Sequence, residues 1–90
     1  MQVLTGIGEL FRDGQSVAKG RYRIEHSEAT AMKLGHVEGQ IDLDTVTGLT
    51  LASGNPQFTL HLADGKRWDC LLQSSEGRLV NRGDGLYRPS

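Results

Sequence analysis

The sequence predicts an all-β fold, a single small antiparallel barrel or partly open sandwich of about six or seven strands. Three observations carry that expectation. Apolar and polar residues alternate with period two through several short runs, the mark of half-buried strands. Asp-Gly separates two pairs of such runs, at Asp13-Gly14 and at Asp64-Gly65, and in that setting it signals a tight hairpin. Glycine is abundant, 12 residues against 2 prolines, and Gly6 and Gly8 fall inside an apolar run. A strand that lacks a side chain at such points can bulge or bend, which favours the barrel.

Val3 to Phe11 reads as the first strand, interrupted by Gly6 and Gly8. Asp13-Gly14 turns it into a second strand, Val17 to His26. There Ala18, Gly20, Tyr22 and Ile24 share one face, and Lys19, Arg21, Arg23 and Glu25 the other. The glycines leave the register of this first hairpin open. Residues 27–35 read either as one short helical turn, with Ser27 as N-cap and Gly35 beyond the C-terminus, or as an extended excursion. His36 to Leu43 is a strand with Val37, Gly39, Ile41 and Leu43 inward, and Leu49 with Leu51 suggests a short fourth strand. Ser53-Gly54-Asn55-Pro56 is a turn by composition.

The clearest hairpin is QFTLHLADGKRWDCLLQ, Gln57 to Gln73. Opposed residues in antiparallel strands share a face, so side-chain pattern tests the loop length. A two-residue loop would set Leu60 against Asp69 and Leu62 against Arg67. A three-residue loop, Ala63-Asp64-Gly65, sets Leu60 against Trp68 and Phe58 against Cys70, leaving only Lys66 on the apolar face. The longer loop is the expected one, with Gly65 in the left-handed region. Ser74 to Gly77 is a further turn, Arg78 to Asn81 a seventh strand, and Arg82 to Gly85 a loop. Leu86 and Tyr87 pack back before a tail that frays from about residue 88. Trp68, Phe58, Leu60, Ile41 and Val37 form the expected core.

The 90 residues are expected to form one domain, which at this size buries roughly 60–65% of its unfolded surface. A net charge of −1 gives no basic excess to draw nucleic acid or an anionic membrane. The one cysteine, Cys70, falls on an apolar face and cannot form an intramolecular disulfide, which fits a reducing compartment. No apolar run approaches the roughly 18 residues of a membrane span, and the N-terminus carries no signal-peptide pattern. A soluble, cytoplasmic chain is expected.

Few residues suggest chemistry. Lys19, Arg21 and Arg23 project from one strand face, as the basic strand of an OB-like barrel binding single-stranded nucleic acid would. They are the candidate binding residues. Tyr22 has the wrong parity to stack bases there, and Glu38 and Asp42 on the next strand would offset the cations. Asp42 and Asp44 form a D-x-D, but no calcium-loop pattern follows it. His26, His36 and His61 lack partners at metal spacing, and Arg82-Gly83-Asp84 is too short a string to specify recognition. No glycine-rich phosphate loop opens a helix, and no Ser or Cys has a base at hand.

PilZ domains, small barrels that bind a cyclic dinucleotide, carry RxxxR followed by [D/N]xSxxG. Arg78 to Arg82 has the first spacing and Asp44 to Leu49 echoes the second, but in reverse order, without the serine and with the glycine one residue early. The motif pair is therefore not present. The expected function is a non-catalytic binding or interaction module without cofactor or metal. Its partner would be an unknown protein, or further copies of itself through an edge strand. The alternative is an OB-like nucleic-acid domain using Lys19, Arg21 and Arg23.

Overall fold

Two three-stranded meanders meet edge to edge in the computed structural model, which describes residues 2–27 and 35–89. The first is β1 (Gln2–Arg12), β2 (Gln15–Ser27) and β3 (His36–Ile41). The second is β4 (Gln57–His61), β5 (Arg67–Leu72) and β6 (Arg78–Tyr87), reached through a helix, α1 (Thr45–Ala52). The strands close in the order β1-β2-β3-β6-β5-β4, every neighbour antiparallel. The all-β expectation holds, as a closed barrel with six strands. The helical turn considered at 27–35 falls on 28–34, outside the described residues.

Alternation becomes inside and outside. Leu10, Tyr22, Ile24, Val37, Ile41, Phe58, Leu60, Trp68, Cys70 and Leu79 line one core, most of them wholly shielded. Trp68 is 0% exposed, as the only tryptophan at the centre of such a core should be. Its indole Nε1 donates to Asn81 Oδ1 at 3.0 Å, which satisfies its one polar atom. Gly39 lies over the ring, where a Cβ would come within 3.2 Å of Cζ3.

The β4–β5 hairpin has the expected loop. Leu60 pairs with Trp68 and Phe58 with Cys70, Leu62 N–H donates to the Lys66 carbonyl at 2.8 Å, and Gly65 has φ +93°. The first hairpin has the same Asp-Gly grammar but a different turn. Arg12 pairs with Gln15, leaving Asp13 and Gly14 as a two-residue loop with φ +52° and +80°. Both central residues at positive φ is the primed-turn geometry that matches strand twist. A register shift between Leu10 and Phe11 absorbs Val17, so Leu10 still meets Ala18 on the inner face.

Two expectations are corrected. Leu49 and Leu51 belong to α1, not to a fourth strand. Asp44 caps the helix, its Oδ1 accepting from Thr47 N–H at 2.8 Å and its Oδ2 from the Thr47 hydroxyl at 3.0 Å. Helical spacing turns Gly48 and Leu51 inward and leaves Leu49 58% exposed. Gly48 admits the Ser75 carbonyl so closely that a Cβ would collide with it. Arg12 ties the far end of the helix, donating to the Leu51 and Asn55 carbonyls while lying 4.6 Å from the centre of the Phe58 ring. The second correction concerns Arg82 to Gly85, which form a bulge within a long β6 instead of a loop ending it. Cys70 pairs with Asn81 and Trp68 with Leu86, so four residues of β6 span the single residue Asp69. Asn81 Nδ2 holds the bulge by donating to the Gly83 carbonyl at 2.7 Å.

Candidate binding groove

The outer face of β1, β2, β3 and β6 carries rows of side chains fixed by strand register. Thr5 pairs with Arg23, Arg23 with Gln40, and Gln40 with Arg78, giving one row across four strands. Beside it, Glu25 pairs with Glu38. On the other side the Asp42 N–H donates to the Arg21 carbonyl at 2.8 Å, bringing those two residues together. The curved surface between these rows forms an open groove of about 510 Å³. Arg21, Arg23 and Arg78 line it with Glu25, Glu38 and Asp42, and Gly39 and Tyr22 are also part of its wall.

Its charges are partly paired. Arg23 Nη1 meets Glu25 Oε1 at 2.9 Å within its own strand. Glu38 Oε2 takes Arg78 Nη2 at 3.4 Å and His36 Nε2 at 3.3 Å. Arg78 Nε also donates to Gln73 Oε1 at 2.8 Å. Arg21 and Asp42 make no ion pair among the described residues. These solvent-exposed pairs contribute little to stability.

Of the three cations singled out by sequence, Arg21 and Arg23 lie in the groove. Lys19 does not: it sits farther along β2 opposite Glu9, whose Oε2 accepts from the Ser16 hydroxyl. Glu38 on β3 and Asp42 just past its end do flank the cations, but Arg23 takes Glu25 as its partner instead. Tyr22 is buried, its hydroxyl accepting from Ala63 N–H at 3.2 Å, so the groove offers no exposed aromatic face among its lining residues. Arg78, Gln40 and Thr5 are the contributors that sequence reading missed. Strand parity marked Gln40 as outward, but only the β3–β6 pairing brings Arg78 beside it.

Other polar features are occupied. Asp69 Oδ1 accepts from the Thr59 hydroxyl at 2.9 Å and the Tyr87 hydroxyl at 3.2 Å, with Arg82 Nη2 at 3.7 Å. Slight desolvation of this exposed residue, with the Asp69 charge beside it, raises the Tyr87 hydroxyl above its ordinary value. His61 stacks on Phe11 with ring centres 3.8 Å apart, and partial burial with Arg67 close by lowers its pKa. Burial pushes the Cys70 thiol up to about 12. Asp42 and Asp44 part company, one in the groove and one capping α1. Among the described residues no three His, Cys, Asp or Glu side chains are grouped to hold a metal, and no helix is long and apolar enough to cross a membrane. No protein-family model, no curated protein and no solved structure matches this chain.

Proposed function

We propose that the chain is a non-catalytic interaction module that takes a segment of a protein partner in this groove, in a cytoplasmic setting. The observation that carries the reading is the mixture of charge: three guanidinium groups, three carboxylates and the neutral donors and acceptors of Thr5 and Gln40 in one open surface. A peptide carrying both signs can complement such a surface, whereas a phosphate chain would be repelled by half of it. Among the described lining residues there is no serine or cysteine nucleophile, and two of the three carboxylates, Glu25 and Glu38, are engaged in ion pairs. The buried, strongly protonated Cys70 supplies no thiolate elsewhere.

The OB-like reading is supported by Arg21, whose guanidinium has no ion-pair partner among the described residues. Two measurements separate the readings. A photo-crosslinking side chain placed at position 40 is expected to capture a defined protein, and Arg23→Glu to abolish that capture without changing the circular dichroism. Titration of labelled single-stranded DNA and RNA at low salt is expected to show no binding in the micromolar range. Salt-sensitive nucleic-acid binding lost in Arg21→Ala/Arg23→Ala would replace the protein-partner reading with the OB-like one.

A further inference from the structure

β1 is half a barrel strand and half an edge. β2 pairs with it from Gln2 to Arg12, but β4 pairs only with Glu9, Leu10 and Phe11. On the β4 side, residues 2–8 therefore have no strand neighbour among the described residues. Main-chain groups alternate sides along a strand. Arg21 accepts from β3, so Gly20, Tyr22 and Ile24 turn their groups to β1, where they meet Gly8, Gly6 and Leu4. Val3, Thr5 and Ile7 consequently aim their N–H and C=O groups away from β2. Their side chains lie on the outer face, with Val3 46% and Ile7 51% exposed.

Natural edges are usually blocked by lysine, proline, an inward charge or a short strand. QVLTGIG, residues 2–8, contains no charge and no proline. We infer that this edge pairs with the same edge of a second copy, antiparallel about a two-fold axis at Thr5. The edge is self-complementary in that register. Thr5 faces Thr5 of the second copy, and Val3 faces Ile7 on each side of it, two residues either way from the axis. All three outward-facing residues then form hydrogen-bonded pairs, and each pair exchanges both of its main-chain bonds. A register displaced by one pair in either direction loses both Val3–Ile7 matches, and one direction brings in Glu9, already paired with β4. The matched β-branched side chains also leave water, which favours this register further. Thr5 stands on the lip of the groove, so the axis would set two grooves side by side on one continuous sheet.

The inference rests on reading the chain as an interaction module, but not on the groove itself. So short a contact falls below the standard interface size, and it fits a concentration-dependent dimer better than an obligate one. Light scattering and sedimentation across a dilution series test it. The expected result is a dimer that dissociates on dilution, with Ile7→Lys and Thr5→Pro weakening association at least tenfold. Proline at 5 removes an N–H that β2 does not use, so the barrel should persist, checked by Trp68 emission. Val46→Lys, on the 75% exposed residue of α1, should leave association unchanged. Thr5→Cys should form an interchain disulfide on oxidation, since the two positions would be directly opposed. A monomer at every concentration overturns the inference, as does a dimer indifferent to both edge variants. If that monomer still captures a protein at position 40, the dimer fails while the interaction module stands.

Discussion

Gly65 and Gly77 share one backbone conformation and differ in what surrounds it, which makes them a controlled comparison. Their φ angles are +93° and +96°. Any L-residue with a Cβ is strained there, by about 1–2 kcal/mol. At Gly65 a new Cβ would meet only Arg88 Nη1, at 3.7 Å, which is ordinary contact. Gly65→Ala should therefore cost the backbone term alone, about 1–2 kcal/mol. At Gly77 the same methyl would collide with the Ile41 carbonyl oxygen, which is fixed main chain. Relief requires moving one strand end, and Ile41 N–H already donates to the Gly77 carbonyl at 2.9 Å. Overpacking of this kind adds about 1–3 kcal/mol, bringing Gly77→Ala to roughly 2–5 kcal/mol.

Domains of this size have only about 5–15 kcal/mol in total, so the difference is measurable. Urea denaturation followed by Trp68 emission is the assay, because the indole passes from full burial to water on unfolding. With a slope of about 1–2 kcal/mol per molar, Gly65→Ala should lower the midpoint by about 1 M and Gly77→Ala by about 2–3 M. Equal midpoints for the two variants would refute the collision argument. No loss at Gly65→Ala would refute the left-handed turn.

Four further outcomes follow from the core and the helix. Trp68→Ala should cost about 3–5 kcal/mol and leave the barrel partly or wholly unfolded by circular dichroism, while the parent protein's emission should be that of a buried indole. Arg12→Ala should cost about 1–3 kcal/mol in thermal or urea melts, since it releases the Leu51 and Asn55 carbonyls and the contact over Phe58. The Cys70 thiol, pushed to about 12 from 9.0, should ignore a thiol reagent at pH 8 until urea unfolds the chain. Its folded pKa is raised, so its contribution is whole below pH 9 and is lost as pH climbs toward 12. Asp44 has its carboxyl held below 3.8 by the Thr47 backbone N–H and then the Thr47 hydroxyl. Its cap therefore supports α1 above that value and fails as pH falls through the lowered pKa, which the Thr47 amide resonance should report.

Local patterns were legible and non-local ones were not. The β4–β5 register followed from side-chain faces alone, because a one-residue slip would have turned Leu60 and Phe58 to water. The α1 segment misled because TVTGLTL is rich in β-branched residues, and Leu49 and Leu51 mimic period two. The opposing signals were Asp44 as a cap and a glycine small enough to accept the Ser75 carbonyl. The second of these exists only in three dimensions. The bulge at Arg82 to Gly85 was read as a strand end for a similar reason, since Leu86 rejoining Trp68 is visible only in the pairing. In the groove, Arg21 and Arg23 were found by strand parity. Arg78 was not, because forty residues separate it from Glu38 and no local rule predicts that contact.

That separation bears on how the groove is made. Each meander is built from neighbours in sequence, but the barrel closes through two short seams, β1 with β4 and β3 with β6, of three residue pairs each. The groove crosses the second seam at Gln40 and Arg78, so it is complete only when the meanders have met. The exposed ion pair between Arg78 and Glu38 is too weakly favourable to close it. Burial must do so: Leu79, wholly shielded, enters from β6 beside Gly39, and Gly39 makes room for the Trp68 ring. Apolar contacts inside the barrel thus set the spacing of the charged row outside it. The rim charges can then vary without altering the fold that presents them, so the outer face is free to change while the scaffold stays fixed.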